Sequence, residues 1–449
     1  MMTSGPILSA LIRFTLPILF SLFLQALYGA VDLWMVGKFA TNADVSAVTT
    51  GSQTMQIVNA LVIGLSLGIT VMVGRRMGAR DDEGAARVVG ASLWLFTGLA
   101  ALISLILVTG AVALAAGLNA PQSAFGATVE YLRICGAGVV FIVFFNLLTG
   151  LFTGLGDSKT PLIFVGVAAV ANMAGDYWLV AILHAGAAGA AWATVGSQCL
   201  SVLTALLFLR KKLPFKMAAR HLAFDGRLIA GILKLGFPIA LQNACNELSY
   251  LLIIGFVNVM GVVASSGVGI AEKLVMFILL IPTAFMLAIS AFVAHNRGAG
   301  LDERAGRVLV TGLFACLAIG SVMSYLSFFE GPRLALLFIN DPAVIVAAAE
   351  FLKATSIECF FFAMTYPVIG YLMGYDRTAF VMVQGMIAIF TVRIPYAWWA
   401  STKPEPELFD VGLATGLAAM AMTVMCMGYW GWMRRRTREE RGTSSSSVS

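Results

Sequence analysis

Runs of roughly 20 apolar residues, the length that crosses a hydrocarbon core of about 30 Å, recur along almost the whole chain and decide its solvent before any motif is considered. With 59% hydrophobic and only 12% charged residues among 449, and a mean hydropathy of +0.90, the chain cannot hide its apolar surface inside itself. Its surroundings must be lipid. The pattern predicts an all-α integral membrane protein with transmembrane helices at residues 12–37, 46–74, 86–117, 123–154, 161–184, 187–210, 229–259, 263–294, 307–329, 343–374, 378–400 and 409–433, and no soluble domain fits between them. The first apolar run continues into Trp34 and Lys38 without an N-terminal basic cluster, so it is expected to be an uncleaved span.

Charge then sets orientation. Most of the 29 Lys and Arg residues fall in alternate connections: Arg75, Arg76, Arg80 and Arg87; Lys159; Arg210 to Arg227; Arg297, Arg304 and Arg307; Arg377; and the tail from Arg434. The opposite connections hold Lys38, Arg333 and Lys403. The positive-inside rule places both termini in the cytoplasm of a multi-pass protein in a bacterial-type inner membrane. The net charge of +6 therefore calls for no nucleic-acid partner. The six cysteines lie inside predicted spans without Cys-x-x-Cys spacing, which argues against a disulfide framework or a metal cluster. His184, His221 and His295 read as ordinary interfacial residues.

An internal repeat organises the rest. Leu11-Ile-Arg-Phe-Thr-Leu-Pro-Ile18 recurs as Ile232-Leu-Lys-Leu-Gly-Phe-Pro-Ile239, Glu130-Tyr-Leu-Arg133 as Glu350-Phe-Leu-Lys353, Gly78-Ala with Arg87 as Gly298-Ala with Arg307, and Gly150-x-x-x-Gly154 as Gly370-x-x-x-Gly374. The spacing is nearly constant. Each unit holds an even number of spans, so the two six-helix repeats are parallel, related by an axis along the membrane normal. The expected organisation is an N-terminal lobe (1–210), an interfacial linker (211–228), a C-terminal lobe (229–433), and a basic, then Ser-rich, disordered tail (434–449). The repeated Glu130/Arg133 and Glu350/Lys353 are spaced to pair on one helix face, and the glycine pairs permit close helix contact.

What does not repeat is more informative. Asp32 aligns with Ile253, Asp176 with Tyr396, and Glu247 with Ala26. A charged carboxylate at mid-membrane costs ~2.5 to 3.5 kcal/mol even on translocon scales, so such a residue normally faces a bundle interior or water. Ser21, Gln25, Tyr28 and Asp32 share one face of the first span. Gln53 and Gln56, Asn172 and Asp176, and Thr194 and Gln198 sit at helical spacing in the second, fifth and sixth spans. Together they suggest a polar chamber. In the second half, Gln242, Asn243, Asn246, Glu247, Ser249, Tyr250 and Glu358 form a further polar cluster that calls for water or a ligand.

Over residues 10–435 the chain resembles the multidrug and toxic compound extrusion (MATE) family, through Val31-Asp32 followed by Gly37, the Glu-Tyr-Leu-Arg run, Asn172-x-x-x-Asp176, and Val392-Arg-Ile-Pro395. The resemblance implies two six-helix lobes around a central cleft that opens alternately to the two membrane faces. It implies an N-lobe cation-coupling set of Asp32, Asn172, Asp176 and Thr194, and a C-lobe cation or substrate site at Glu247, with Asn243 and Glu358 as further candidates. Where some members carry an aspartate in the tenth span, this chain has Phe362, with Glu358 a turn away. Gln25, Tyr28, Gln53, Gln56, Met173 and Gln198 are expected to line the cleft.

Burial in low dielectric favours the neutral carboxyl, so Asp32 and Asp176 are expected to exchange protons, or to hold Na+ while ionised. The reading is a secondary antiporter that exports small, cationic or amphipathic organic compounds. It acts as a monomer among membrane lipids, with H+ or Na+ as coupling ion and with no cofactor and no tightly bound metal. The alternative on the same scaffold is a flippase for a lipid-linked saccharide, which would want more basic residues in the cleft. A membrane-embedded enzyme would need a nucleophile–base pair, a metal set or a phosphate loop, and the sequence offers none of these.

Overall fold

The computed structural model describes the backbone of residues 2–446 and side chains as far as residue 436; the tail expected from residue 434 begins inside the last helix, which runs to Ser446, and residues 447–449 lie outside the described residues. The helices run in order: α1 (Ile7–Phe39), α2 (Asn42–Gly78), α3 (Asp82–Gly117), α4 (Phe125–Gly154), α5 (Lys159–Asp176), α6 (Gly186–Lys212), α7 (Gly226–Asn258), α8 (Val262–Gly298), α9 (Asp302–Phe329), α10 (Gly331–Ala335), α11 (Pro342–Gly374), α12 (Thr378–Ile387), α13 (Ile394–Ser401) and α14 (Leu408–Ser446). A π-helical turn, Tyr177–Ile182, extends α5, and another, Ala388–Arg393, joins α12 to α13. Counting each joined unit once, eleven helices among the described residues are long and apolar enough to cross a membrane, and the 33-residue α11 supplies the twelfth span. The expected spans are all present. Short α10 and the π turns were not foreseen.

Local chemistry explains the helix ends. Thr41 and Asp44 form a reciprocal capping box at the start of α2, Asp81 accepts from the Gly84 N–H at the start of α3, and Asp341 caps α11 ahead of Pro342. Each satisfies amides that have no partner within the first turn. Large apolar side chains such as Leu105, Val170, Leu207, Phe314 and Val424 are more than half exposed, a surface that suits lipid rather than water.

The chain divides into two compact units. Unit 1 comprises Met1–Gly5, Ile12–Asn243 and Ala294–Leu301; unit 2 comprises Pro6–Leu11, Ala244–Val293 and Asp302–Ser449. The division passes through α1, α7 and α8, and the linker at 211–228 lies wholly within unit 1. Close helix contact accounts for this: side chains at Gly64 and Gly236 would collide with the α7 and α2 backbones respectively. The linker itself is docked on α3. Its Leu222 carbonyl accepts from Trp94 Nε1 at 2.8 Å, and Arg220 Nη2 lies 2.9 Å from Glu83 Oε2. Phe215 and Met217 pack against the unit 1 core, whereas Leu222 and Phe224 are exposed.

The repeat is visible in packing. In unit 1, α4 packs on α2, α3 and α6; in unit 2, its counterpart α11 packs on α9 and α14, the counterparts of α3 and α6. Ser66 Oγ donates to the Asn146 carbonyl at 2.6 Å and Thr70 Oγ1 to that of Gly150 at 2.9 Å, so α2 and α4 touch backbone to side chain. The matching Gly370 faces the Met286 backbone on α8. At the ends of α2 and α8 the crossing is reciprocal: a side chain at Gly78 would strike the His295 carbonyl, and one at Gly298 the Arg75 carbonyl. Even the turns correspond, with Arg80 (φ 56°) matching Gly300 (φ 72°) and Gly156 (φ 85°) matching Asp376 (φ 60°).

Two expectations change. Glu130/Arg133 and Glu350/Lys353 form no ion pair among the described residues; all but Glu350 are exposed, and Glu350 instead accepts from the Phe409 N–H at 3.5 Å. Exposed long side chains lose entropy on pairing and gain little. His221 and His295 are buried rather than interfacial, His295 Nε2 lying 3.0 Å from the Gly154 carbonyl and His221 Nε2 3.0 Å from Glu83 Oε2.

Candidate functional site

Asp176 is the last residue of α5 before the backbone widens into its π turn, where the Leu183 N–H reaches back to the Trp178 carbonyl at 3.0 Å. Such turns re-aim the side chains beside them. Asp176 and Asn172, one helical turn apart, are fully buried, and Asp32 on α1 is 8% exposed. The Asp32 and Asp176 carboxyl groups lie within interaction range of each other. Both oxygens of Asp176, Oδ1 of Asp32, and both side-chain polar atoms of Asn172 are buried without a hydrogen-bond partner. A buried polar group left unsatisfied costs about 1–3 kcal/mol, and two facing carboxylates add mutual repulsion, so this constellation is suited to a shared proton or a bound cation.

The surroundings are drawn from three further helices. Gln198 on α6 donates through Nε2 to the Tyr28 hydroxyl at 3.4 Å, leaving its own Oε1 without a partner. Tyr28, Tyr131 and Cys135 all lie within the field of the Asp32 charge. The Tyr131 ring lies against Gly51 of α2, where any side chain would collide with it. Sequence reading did not single out Tyr131 or Cys135; the signal available was their i, i+4 spacing on the fourth span, on the face opposite the exposed Glu130 and Arg133. Thr194 is half-buried on α6, which approaches α5 closely where a Gly175 side chain would meet Ala193 at 3.0 Å. Met173 is half-buried, Gln25 bonds its own helix through the Ser21 carbonyl at 3.3 Å, and Gln53 and Gln56 are exposed on α2. The structure therefore brings together Asp32, Asn172, Asp176, Tyr28 and Gln198, and sets Gln25, Gln53 and Gln56 on helix surfaces.

Unit 2 holds a different arrangement. Arg393, at the end of its π turn, and Glu358 are each about 1% exposed and form an ion pair at 3.2 Å. Arg393 Nη1 also donates to Asn246 Oδ1 at 2.8 Å and Ser249 Oγ at 3.0 Å, the guanidinium stacks 4.5 Å from the Tyr250 ring centre, and the Tyr250 hydroxyl donates to Glu358 Oε1 at 2.8 Å. The polar residues that called for a ligand are largely satisfied by this arginine. Glu247 is half-buried within the field of Arg393. Asn243 does not join them; its amide donates to the Ala60 carbonyl at 3.3 Å, in unit 1. Glu272 on α8 was missed entirely, although its charge interacts with those of Glu358, Arg393 and Glu247. It is preceded in sequence by an apolar stretch and followed by Lys273, so it reads as a helix-surface pair.

Comparison with known proteins adds to this geometry. A family model described as MatE matches residues 17–178 and 238–399, two stretches that start at the superposed Pro17 and Pro238. Curated relatives include the probable multidrug resistance proteins YpnP (26% identical over 445 residues, 96% of each chain) and YoeA (24% over 435 residues, 94% of this chain and 93% of the relative), both of Bacillus subtilis. Another is the multidrug resistance protein PmpM of Pseudomonas aeruginosa, 24% identical over 446 residues, covering 96% of this chain and 93% of that one. Among solved structures, an outward-facing multidrug resistance MATE family transporter of the MOP superfamily matches with a TM-score of 0.89 at 20% identity over 98% of each chain. A MOP superfamily transporter from Pyrococcus furiosus, described as having a binding pocket of reverse polarity, matches with a TM-score of 0.87 at 19% identity over 97% of each.

Proposed function

Because the chain belongs to the MatE family of membrane transporters, we propose that it exports small organic compounds, cationic or amphipathic, in exchange for H+ or Na+. The observation that carries the coupling half of this reading is the buried Asp32–Asp176 pair with its unpartnered oxygens. A pair of facing carboxyls titrates as a unit, so its charge changes by one for each ion gained. The multidrug resistance names of its relatives support the choice of cargo.

Exchange needs no covalent chemistry. The coupling ion and the substrate each favour one of two conformations, and because linkage is reciprocal, an ion that weakens substrate binding is itself displaced by substrate. A coupling free energy of ~1–3 kcal/mol gives about a 5–150-fold change in affinity. In the proposed cycle the ion enters the Asp32–Asp176 site from outside, substrate leaves, and the ion is released inward when substrate rebinds. Both termini face the cytoplasm, the two six-helix repeats alternate in exposure, and one chain suffices.

The test is accumulation of ethidium inside everted vesicles, whose lumen corresponds to the cell exterior, under imposed H+ or Na+ gradients. Wild type is expected to export only with one of the two gradients, and Asp32→Asn and Asp176→Asn to lose gradient-driven export while still reaching the membrane. Undiminished gradient-driven export in both variants would remove the pair from the mechanism.

A further inference from the structure

The connection between the two repeats carries six Lys or Arg residues and one Asp within residues 210–227, with Leu222 and Phe224 among them. It is built onto α3. A side chain at Gly90 would strike the His221 carbonyl, the buried His221 ring accepts through Nδ1 from the Ala218 N–H at 3.0 Å, and Trp94 Nε1 donates to the Leu222 carbonyl at 2.8 Å. The duplicated frame does not call for this. At the spacing that relates Gly78 to Gly298, the counterparts of Gly90 and Trp94 are Val310 and Phe314, both exposed.

Docking leaves an amphipathic edge in unit 1. Trp94, Leu222 and Phe224 are all exposed, the Trp94 and Phe224 rings meeting edge to face at 6.2 Å. Beside them a hollow of about 80 Å³ is lined by Arg87 from α3 and by Arg220, His221, Phe224 and Asp225 from the linker. Arg220 Nη2 lies 2.9 Å from Glu83 and Arg87 Nη2 3.8 Å from Asp225, yet both side chains are more than half exposed, and a guanidinium has five N–H donors, more than these contacts use. Asp82, Glu83 and Arg87 stand in the first turns of α3, which carries no charge from Val88 to Gly117. The hollow therefore lies level with a membrane boundary, where Trp rings and basic side chains meet lipid headgroups.

We propose that the hollow between α3 and the linker binds the phosphate of an anionic phospholipid between Arg87 and Arg220, with an acyl chain lying along Trp94, Leu222 and Phe224. Guanidinium groups match the oxygens of a phosphodiester in paired hydrogen bonds, and a net positive linker complements its charge. The exposed apolar edge decides for a lipid over a soluble anion, because a free phosphate would leave those three side chains uncovered. Bound in this way, the lipid fastens the connection between the repeats to α3 from outside. The inference is independent of the ion-exchange reading and of the cargo.

The test is native mass spectrometry of the purified full chain, titrated in detergent with phosphatidylglycerol, with phosphatidylcholine of the same acyl chains, or with glycerol 3-phosphate. Wild type is expected to bind phosphatidylglycerol more tightly than phosphatidylcholine. Arg87→Gln and Arg220→Gln are each expected to weaken phosphatidylglycerol roughly fivefold, the change that about 1 kcal/mol per basic residue at a lipid surface gives, and to leave phosphatidylcholine unchanged. Arg307→Gln, at the repeat counterpart of Arg87, should bind both lipids as wild type does. Should either arginine variant fail to fold, Phe224→Ser, which keeps both arginines, is expected to weaken phosphatidylglycerol as well. Equal binding of phosphatidylglycerol by wild type and these variants would overturn the proposal, as would equal binding of the two lipids by wild type. Displacement of phosphatidylglycerol by an equal concentration of glycerol 3-phosphate would also overturn it, in favour of a soluble anion.

Discussion

Replacing Arg393 by Met should be among the most destabilising single substitutions in unit 2. The side chain is 1% exposed, its Nη1 serves Asn246 and Ser249, its Nη2 serves Glu358, and its plane stacks on Tyr250. Methionine matches its length and leaves little cavity, so the cost comes from abandoning a buried carboxylate and orphaning two polar side chains. Breaking a buried ion pair from one side costs ~3–5 kcal/mol, and at about 2–4 °C per kcal/mol for a unit of this size the unfolding midpoint should fall on the order of 10 °C. Arg393→Met/Glu358→Leu, which removes both charges, should recover most of that loss, because a matched apolar pair is often as stable as a buried ionic one. The assay is unfolding in detergent at one fixed scan rate for wild type, both single variants and the double, closed as a cycle. Were Arg393→Met to melt with wild type, or the double variant to lose the sum of the singles, the ion pair would not be what organises the core of unit 2.

Gly150→Ala and its repeat partner Gly370→Ala should each lower thermal stability by ~1–3 kcal/mol and reduce folded yield, because the new methyl meets Ser66 in one case and the Met286 backbone in the other; equal stability to wild type in a melt would refute the close-contact account. Asp157 lies in the α4–α5 connection, where burial raises its carboxyl pKa but hydrogen bonds from Thr160 and Lys212 outweigh this and hold it below the usual range. A lowered folded value means stability that is present at neutral pH and is lost as pH falls through that depressed value. Asp157→Asn should therefore flatten the acid limb of the stability–pH curve by well under 1 kcal/mol, the pair with Lys212 being part-exposed, and an unaltered limb would count against it.

The twelve spans were legible because apolar length is a coarse, local signal, and the repeat because duplicated packing preserves residues such as Gly78/Gly298 and Gly150/Gly370 that backbone contact forbids to grow. Asp32, Asn172 and Asp176 stood out for the opposite reason: each is costly in lipid and none is supplied by the repeat. Three features stayed hidden. The π turns depend on a hydrogen-bond shift with no composition of its own. The pairing of Arg393 with Glu358 joins residues on different spans, and nothing in either stretch marks the other. Glu272 escaped because its partners are contributed by α7, α11 and a π turn, so periodicity within α8 could not single it out. Gln53 and Gln56 are exposed on α2, and their spacing says which residues share a face, not what that face meets.

The most direct measurement of the central claim is ion release on substrate addition to purified wild-type protein in weak buffer, followed with a pH indicator and a Na+ electrode. The account predicts about one ion released per substrate bound, absent in both Asp32→Asn and Asp176→Asn. Substrate binding of wild-type affinity with no ion released, or release that persists in both variants, would contradict it.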